Sequence, residues 1–373
     1  MRKLLIGSSA LVAVGIVTTP VAFAGEAPKV SMSGATRLAY VIRDEDGPGT
    51  TDGGDGGQFQ FANAGTEIRL DASGTADNGL TYGVNIDFRQ PAGAVTVDEH
   101  YIFLEGGWGT LHLGGDDGVL DNMEKGGQSV QVGNWGFDVS QTILTSAGVE
   151  ADIIAFASWA GVTGDDAKIA YYTPSFGGFS AGVSIQPDRD GVTMPNGTGN
   201  FNSTTNTGGY GDMVQYEGAI NYDGSFGDVG IGLSAGAAYS DAGDTTLEDV
   251  EALHAGATVS FGGFSVGAGI MDSGDTNVAQ NTNGDGQTYW SVGAAYSFGA
   301  GAVSTSYFNN EADEDGDGLD SEIDIFTVDL QYTVAEGMTA FAQYYTANSI
   351  ADQGAVTTDS DVDAIVIGTT VTY

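Results

Sequence analysis

The segment Asp363-Ala364-Ile365-Val366-Ile367-Gly368-Thr369-Thr370-Val371-Thr372-Tyr373 alternates without a break to the last residue of the chain. Ile365, Ile367, Thr369, Val371 and Tyr373 fall on one face. Ala364, Val366, Gly368, Thr370 and Thr372 fall on the other, because side chains along a strand point to opposite sides in turn. A strand that needs the final residue is unusual, since chain ends fray unless something ties them down. A sheet closed on itself supplies that tie: the last strand bonds to the first, and no edge is left to face lipid. At the other end, Arg2 and Lys3 precede an apolar run over residues 4–17, and Ala22-Phe23-Ala24 has the form of a cleavage site. Residues 1–24 are therefore expected to be a secretory signal peptide, and residues 25–373 a single barrel domain.

Composition agrees with strands in a membrane. No later stretch approaches the ~20 apolar residues that a membrane helix needs. The chain has no cysteine, which excludes disulfides and thiolate metal sites. Its 60 glycines would suit a low-complexity chain, but 41% hydrophobic and 10% aromatic residues are too many for disorder, so the glycines belong to strands and turns. Fifty acidic residues against 10 basic give a formal charge of −40, which excludes nucleic-acid binding through phosphate contacts. Solubility or adaptation to salt is the bland explanation of that acidity, and a local role in conduction the sharper one.

Working outward from the terminus, residues 80–89 set Leu80, Tyr82, Val84, Ile86 and Phe88 against Thr81, Gly83, Asn85, Asp87 and Arg89. The preceding strand sets Ile68, Leu70 and Ala72 against Glu67, Arg69, Asp71 and Ser73, and Asp77-Asn78-Gly79 between them is a hairpin turn signal. Similar strands begin near residues 30, 66, 80, 97, 110, 167, 179, 214, 228, 252, 264, 288, 301, 323, 338 and 362, about sixteen in all, most of them near the ~10 residues of a tilted membrane strand. Short connections such as 74–79, 105–109, 176–178, 223–227 and 335–337 alternate with long polar ones such as 44–63, 115–166, 186–213, 272–287 and 309–322. Short turns on one side and long loops on the other mark a transmembrane antiparallel β-barrel. Tyr101-Ile102-Phe103-Leu104 is apolar on both faces, so its orientation is left open.

The chain resembles the general bacterial porins, the proteobacterial trimeric family with sixteen strands. The resemblance is carried by Thr66-Glu67-Ile68-Arg69-Leu70 with Leu80-Thr81-Tyr82-Gly83, by Phe103-Leu104-Glu105-Gly106-Gly107-Trp108-Gly109-Thr110-Leu111, and by Tyr171-Tyr172-Thr173-Pro174-Ser175-Phe176-Gly177-Gly178-Phe179. The last is similar to a Tyr-x-Ser-Pro-x-Phe-x-Gly-Phe signature, and Tyr373 stands where the family usually ends in Phe. The resemblance implies an all-β barrel in the outer membrane of a Gram-negative bacterium, assembled as a homotrimer among outer-membrane lipid and lipopolysaccharide. It implies passive diffusion of small hydrophilic solutes and cations, with the third long loop, residues 115–166, folded into the lumen as a constriction.

Charge and position then suggest the constriction residues. The loop carries Trp135, Phe137, Ile143, Leu144, Ile153, Ile154, Phe156 and Trp159, too apolar to stand in water. It also carries Asp116, Asp117, Asp121 and Glu124. The scarce bases concentrate in early strands. Arg37 lies opposite Leu38 and Tyr40, Arg69 opposite Ile68 and Leu70, and Arg89 opposite Phe88. All three are expected to point inward if the apolar neighbours face lipid, where Arg is disfavoured at mid-depth by about 2–4 kcal/mol. With Lys168 they are expected to face the loop carboxylates across the pore, or else to neutralise Glu67, Asp71 and Asp87 beside them.

No cofactor is required by this reading, but one further motif calls for an ion. Asp313-Glu314-Asp315-Gly316-Asp317-Gly318, with Asp324 at the twelfth position, has the spacing of a Ca²⁺ loop, at the weak affinity of roughly 10⁻⁴–10⁻³ M seen in extracellular modules; a solvated acidic tip is the alternative. An enzyme is not expected, since His100, His112 and His254 have no nucleophile partner in sequence. The rival functions are a solute-specific porin and a secreted calcium-binding all-β surface protein.

Overall fold

The computed structural model describes residues 28–46, 56–89, 95–133, 167–187, 214–241, 248–275, 286–313, 321–352 and 357–373. Sixteen strands make up almost all of it. They are β1 (Lys29–Asp46), β2 (Gly56–Thr75), β3 (Thr81–Arg89), β4 (Thr96–Gly106), β5 (Gly109–Gly115), β6 (Ala167–Tyr172), β7 (Phe179–Gln186) and β8 (Gln215–Phe226). The second half comprises β9 (Val229–Ser240), β10 (Val250–Phe261), β11 (Phe264–Asp272), β12 (Gly286–Phe298), β13 (Gly301–Asp313), β14 (Ser321–Ala335), β15 (Met338–Asp352) and β16 (Thr357–Thr372). Each pairs antiparallel with its sequence neighbours, and β16 pairs with β1 from Ala35↔Thr372 to Asp46↔Asp361, which closes the barrel.

The turn chemistry explains the short ends. In the β2–β3 turn, Asn78 Oδ1 accepts the Leu80 N–H at 3.1 Å, and Gly79 takes φ 82°, where a side chain would be strained. Aromatic side chains crowd the same end of the barrel exterior, among them Phe179, Phe226, Phe261, Phe264 and Phe298, all exposed. Such a ring is the girdle expected where a barrel leaves the hydrocarbon layer. Ile365, Ile367 and Val371 lie exposed on the outer face of β16, while Ala364, Val366 and Thr370 are buried on the inner face.

The open question at residues 101–104 is resolved by register. Ile102 is exposed on the exterior, and Phe103 points inward opposite Gly83, where a Cβ would collide with its ring. Three expectations need correction. The connection placed at 44–63 is largely strand, since β1 continues to Asp46 and β2 begins at Gly56, and β16 starts at Thr357 rather than near 362. The extensions of β1 and β16 are polar and carry no hydrophobic alternation, whereas Gln58-Phe59-Gln60-Phe61 of β2 alternates and pairs with Leu38–Val41 of β1. The pairing slips between Thr36↔Thr66 and Leu38↔Phe61, where Gly65 has φ 54°. Nor do all aliphatics face lipid. Ile323, Ile325, Val362 and Val366 point inward and pack with Phe308, Tyr345, Ala39 and Val41 in a buried cluster.

At the seam, Gly34 N–H donates to Tyr373 O at 2.9 Å, Tyr373 N–H donates back to Gly34 O at 3.0 Å, and the Tyr373 ring covers Gly34. Deleting Tyr373 removes both bonds and exposes the β1 edge, at a cost of about 1–3 kcal/mol for the groups left unpaired. The folded, heat-modifiable fraction recovered in outer membranes should therefore fall for the deletion and hold for Tyr373→Phe. Equal recovery of the truncated chain would show that the seam does not need its last residue.

Candidate functional site

The lumen wall is divided by chemistry. On β1–β4 the inward positions include charged residues, and Arg37, Arg69 and Arg89 each find a carboxylate on the adjoining strand. Arg37 Nη1 lies 3.4 Å from Glu67 Oε2, and Arg89 Nε lies 2.9 Å from Asp98 Oδ2. Arg69 Nη2 serves two, Asp87 at 3.1 Å and Glu99 at 3.2 Å. The ladder depends on a bulge: pairing passes from Ile86↔His100 to Phe88↔Val97, so Asp98 and Glu99 both reach inward-facing arginines. Beside it, Asn85 Nδ2 donates to Asp71 Oδ1 at 2.8 Å. A charge-assisted pair on neighbouring strands is stronger than a neutral one, and it fixes the guanidinium planes along the wall.

On β7–β13 many inward positions are Gly, Ser or Ala, with Glu217 and Asp223 among them, and residues 116–133 of the loop after β5 lie along this arc. Its start, residues 116–133, includes a one-turn helix α1 (Val119–Met123) and a 3-10 turn at Gln128–Val130. Loop backbone N–H groups shielded from water need acceptors. The wall provides them in chain order: Lys125 N–H donates to Ser234 Oγ at 2.9 Å, Gly127 to Ser291 Oγ at 3.0 Å, Val132 to Ser304 Oγ at 2.9 Å and Gly133 to Gln331 Oε1 at 2.9 Å. Glycines provide the room. A Cβ at Gly182 would press on Met123 and Val119, one at Gly236 on Leu120, and one at Gly256, Gly267 or Gly293 on the backbone at Lys125, Gly126 or Gly127. Val119 and Leu120 are thereby buried against the wall.

The placements of the expected residues follow. Arg37, Arg69 and Arg89 do share the inward face. Asp116 comes beside Arg69: both line one cavity of about 360 Å³, with His112 Nδ1 at 2.5 Å from Asp116 Oδ2 and Lys168 Nζ donating to the Asp116 backbone oxygen. Lys168 is thus buried at the loop's root. Asp117 and Asp121 belong to the turn around α1, where Asp117 O accepts from Asn122 and Asp121 O from the Glu124 N–H. Glu124 is not with the arginines. It faces the opposite wall, accepting from Tyr289 Oη at 2.9 Å and from Gln128, with His254 Nε2 at 3.6 Å. Burial pushes its carboxyl up to about 7, the bonds from Tyr289 and Gln128 opposing the rise. Residues 134–166, including the apolar half of the loop, lie outside the described residues, as do Asp315, Asp317 and residues 1–24. Asp313 ends β13, and Asp324 lies within β14, accepting from Tyr307 and from Asn309 Nδ2 at 3.1 Å. The sequence reading did not single out the seat residues Gly256, Gly267, Gly293, Ser234, Ser291 and Ser304. Inward glycines at mid-strand, where packing is otherwise weakened, were the available signal.

A closed sixteen-strand barrel with a loop laid inside it fits one family in particular, and a family model for Gram-negative porins matches residues 7–351. The chain belongs to the Gram-negative porins. This porin is 25% identical to a porin of Rhodobacter capsulatus over 245 residues, 65% of this chain and 67% of that relative. It shares its fold with a loop-deleted OmpT of Vibrio cholerae, at a TM-score of 0.62 and 13% identity, covering 93% of this chain and 100% of the other. An anion-selective porin from Comamonas acidovorans superposes with a TM-score of 0.59 and 17% identity over the same shares. The porin is accordingly an outer-membrane channel for small solutes, in a family of channels and not of enzymes.

Gly256→Val drives a side chain into the Lys125 carbonyl and should cost about 1–3 kcal/mol through overpacking. The loop has nowhere to move but toward the pore axis, so unitary conductance should fall as well. Gly218→Ala, where a Cβ meets nothing within 4 Å, should change neither the urea midpoint nor the conductance. Identical behaviour of the two variants would show that the loop is not seated on this wall.

Proposed function

We propose that this porin conducts small hydrophilic solutes with a preference for cations, and that the wall carrying Arg37, Arg69 and Arg89 with Asp116 is one side of its constriction. The observation behind the sign is that each of these arginines is already matched to a carboxylate on a neighbouring strand. Little positive field is left over for anions, while the chain as a whole holds 50 acidic residues against 10 basic. Its fold is shared with an anion-selective porin, so the barrel itself does not decide the sign. Side-chain charge on the wall does. The preference should be larger in dilute salt, because the Debye length is about 30 Å at 0.01 M and 3 Å at 1 M.

The same reading includes a homotrimer in lipid and lipopolysaccharide, which the trimer form of Vibrio cholerae OmpT supports by fold alone. Residues 1–24 are taken as the signal peptide removed on export. Ca²⁺ in the 313–324 loop would draw on Asp313, Asp315 and Asp317, since the Asp324 carboxylate already has Tyr307 and Asn309.

Replacing Arg37, Arg69 and Arg89 together by Gln leaves their carboxylate partners uncompensated, so cation permeability should rise relative to anion permeability. Zero-current potentials across a KCl gradient measure this directly. A reversal potential equal to that of the wild type would place the three arginines outside the permeation path.

A further inference from the structure

The cavity beside Arg69 is built differently from the rest of the charged wall. Its lining combines two carboxylates, Glu99 and Asp116, with the Arg69 guanidinium and the rings of Tyr101, His112 and Tyr172. The rings are ordered: Tyr101 stacks on His112 at 4.4 Å with an interplanar angle of 21°, and Tyr172 sits tilted 5.4 Å from the same imidazole. Asn122, at the end of α1, holds the Tyr172 hydroxyl at 3.0 Å, so the loop forms part of the enclosure. Glu99 is only 10% exposed, and among the described residues Arg69 engages just one of its oxygens, Oε2. Arg69 is in turn shared between Glu99 and Asp87, which leaves its charge matched.

We infer that this cavity is a subsite for small organic ammonium ions within the pore. The inference rests on the channel reading and adds a substrate class to it. A compact ammonium head group carries one positive charge and an apolar skin. It gains from carboxylates at close range and from aromatic faces that attract cations, and both are present on one wall. A hydrated K⁺ profits from the carboxylates alone, whereas an anion must displace Glu99 or Asp87 from Arg69. The volume, about 360 Å³, admits a molecule of the size of choline or ethanolamine and leaves the rest of the lumen open to water.

Choline chloride added to single channels conducting K⁺ in a planar bilayer is the test. In the wild type, choline should reduce the K⁺ current saturably and beyond its effect on bulk conductivity. Glu99→Gln and, separately, Tyr101→Leu should each raise the half-blocking concentration at least tenfold, with their K⁺ currents reporting that folded channels are present. Asp223→Asn removes a lumen carboxylate that pairs with Lys125 at 3.1 Å, away from the cavity, and should leave the half-blocking concentration within twofold. Equal relief by Asp223→Asn and Glu99→Gln would mean that choline feels only the general negative field, and would overturn the subsite. K⁺ channels indifferent to choline would overturn it too while the channel reading stands. Absence of K⁺ channels in the wild type would overturn both.

Discussion

In the hydrocarbon layer of a membrane there is no water to satisfy a peptide N–H or C=O, so every strand must have a partner on both sides. The terminal seam is where that constraint bears hardest, since the two strands that meet there are joined by no turn. β1 and β16 solve it with a long register and a last pair of bonds between Gly34 and Tyr373, and the Tyr373 ring lies over the one residue that has no side chain to obstruct it. Closure then fixes which residues face inward on all sixteen strands, because the side-chain period is two and a slip of one residue would exchange the faces.

The same demand for partners governs the lumen. A loop lying against a wall loses water on one side, and its N–H groups must find acceptors there. Serines 234, 291 and 304 and Gln331 supply them, and glycines on β9–β12 let the loop backbone approach closely enough to use them. The loop's root, Asp116 and Asn122, borders the cavity at Arg69, while residues 124–133 run along the Gly/Ser arc. Small residues on one arc hold residues 119–133, and the arginine–carboxylate ladder lies on the other arc.

Much of this was legible in the residues. The unbroken alternation to Tyr373, the Asp77-Asn78-Gly79 turn and the sorting of short and long connections point to the barrel, and the faces of Arg37, Arg69 and Arg89 follow from their apolar neighbours. Partner identity did not follow. Alternation assigns a face but not a register, and the bulge at Asp98 and Glu99 that brings both to arginines has no mark in composition. The extensions of β1 and β16 are polar and carry no periodic signal, while the alternating Gln58-Phe59-Gln60-Phe61 of β2 follows a Gly-rich run that reads as a connection. Charge and position put Glu124 among the pore acids, whereas burial beside Tyr289 and His254 sends it to the other wall. The glycines of the seat were visible as interruptions within strands, and their meaning required knowing what approaches them.

The central claim is that loop residues 124–133 cover the Gly/Ser arc of the wall, while Arg69 on the facing arc stays open to water. The chain has no cysteine of its own, so a single cysteine introduced at Ser291 or at Arg69 can be read without background. The Ser291 side lies under Gly127 and is 2% exposed, whereas the Arg69 side chain is 41% exposed. A charged water-soluble thiol reagent applied to open channels should modify Arg69→Cys faster than Ser291→Cys by roughly tenfold or more, the protection given by an opening cost of about 1.4 kcal/mol. Equal rates at the two positions would contradict the account, because the wall beneath the loop would then be as wet as the wall that faces it.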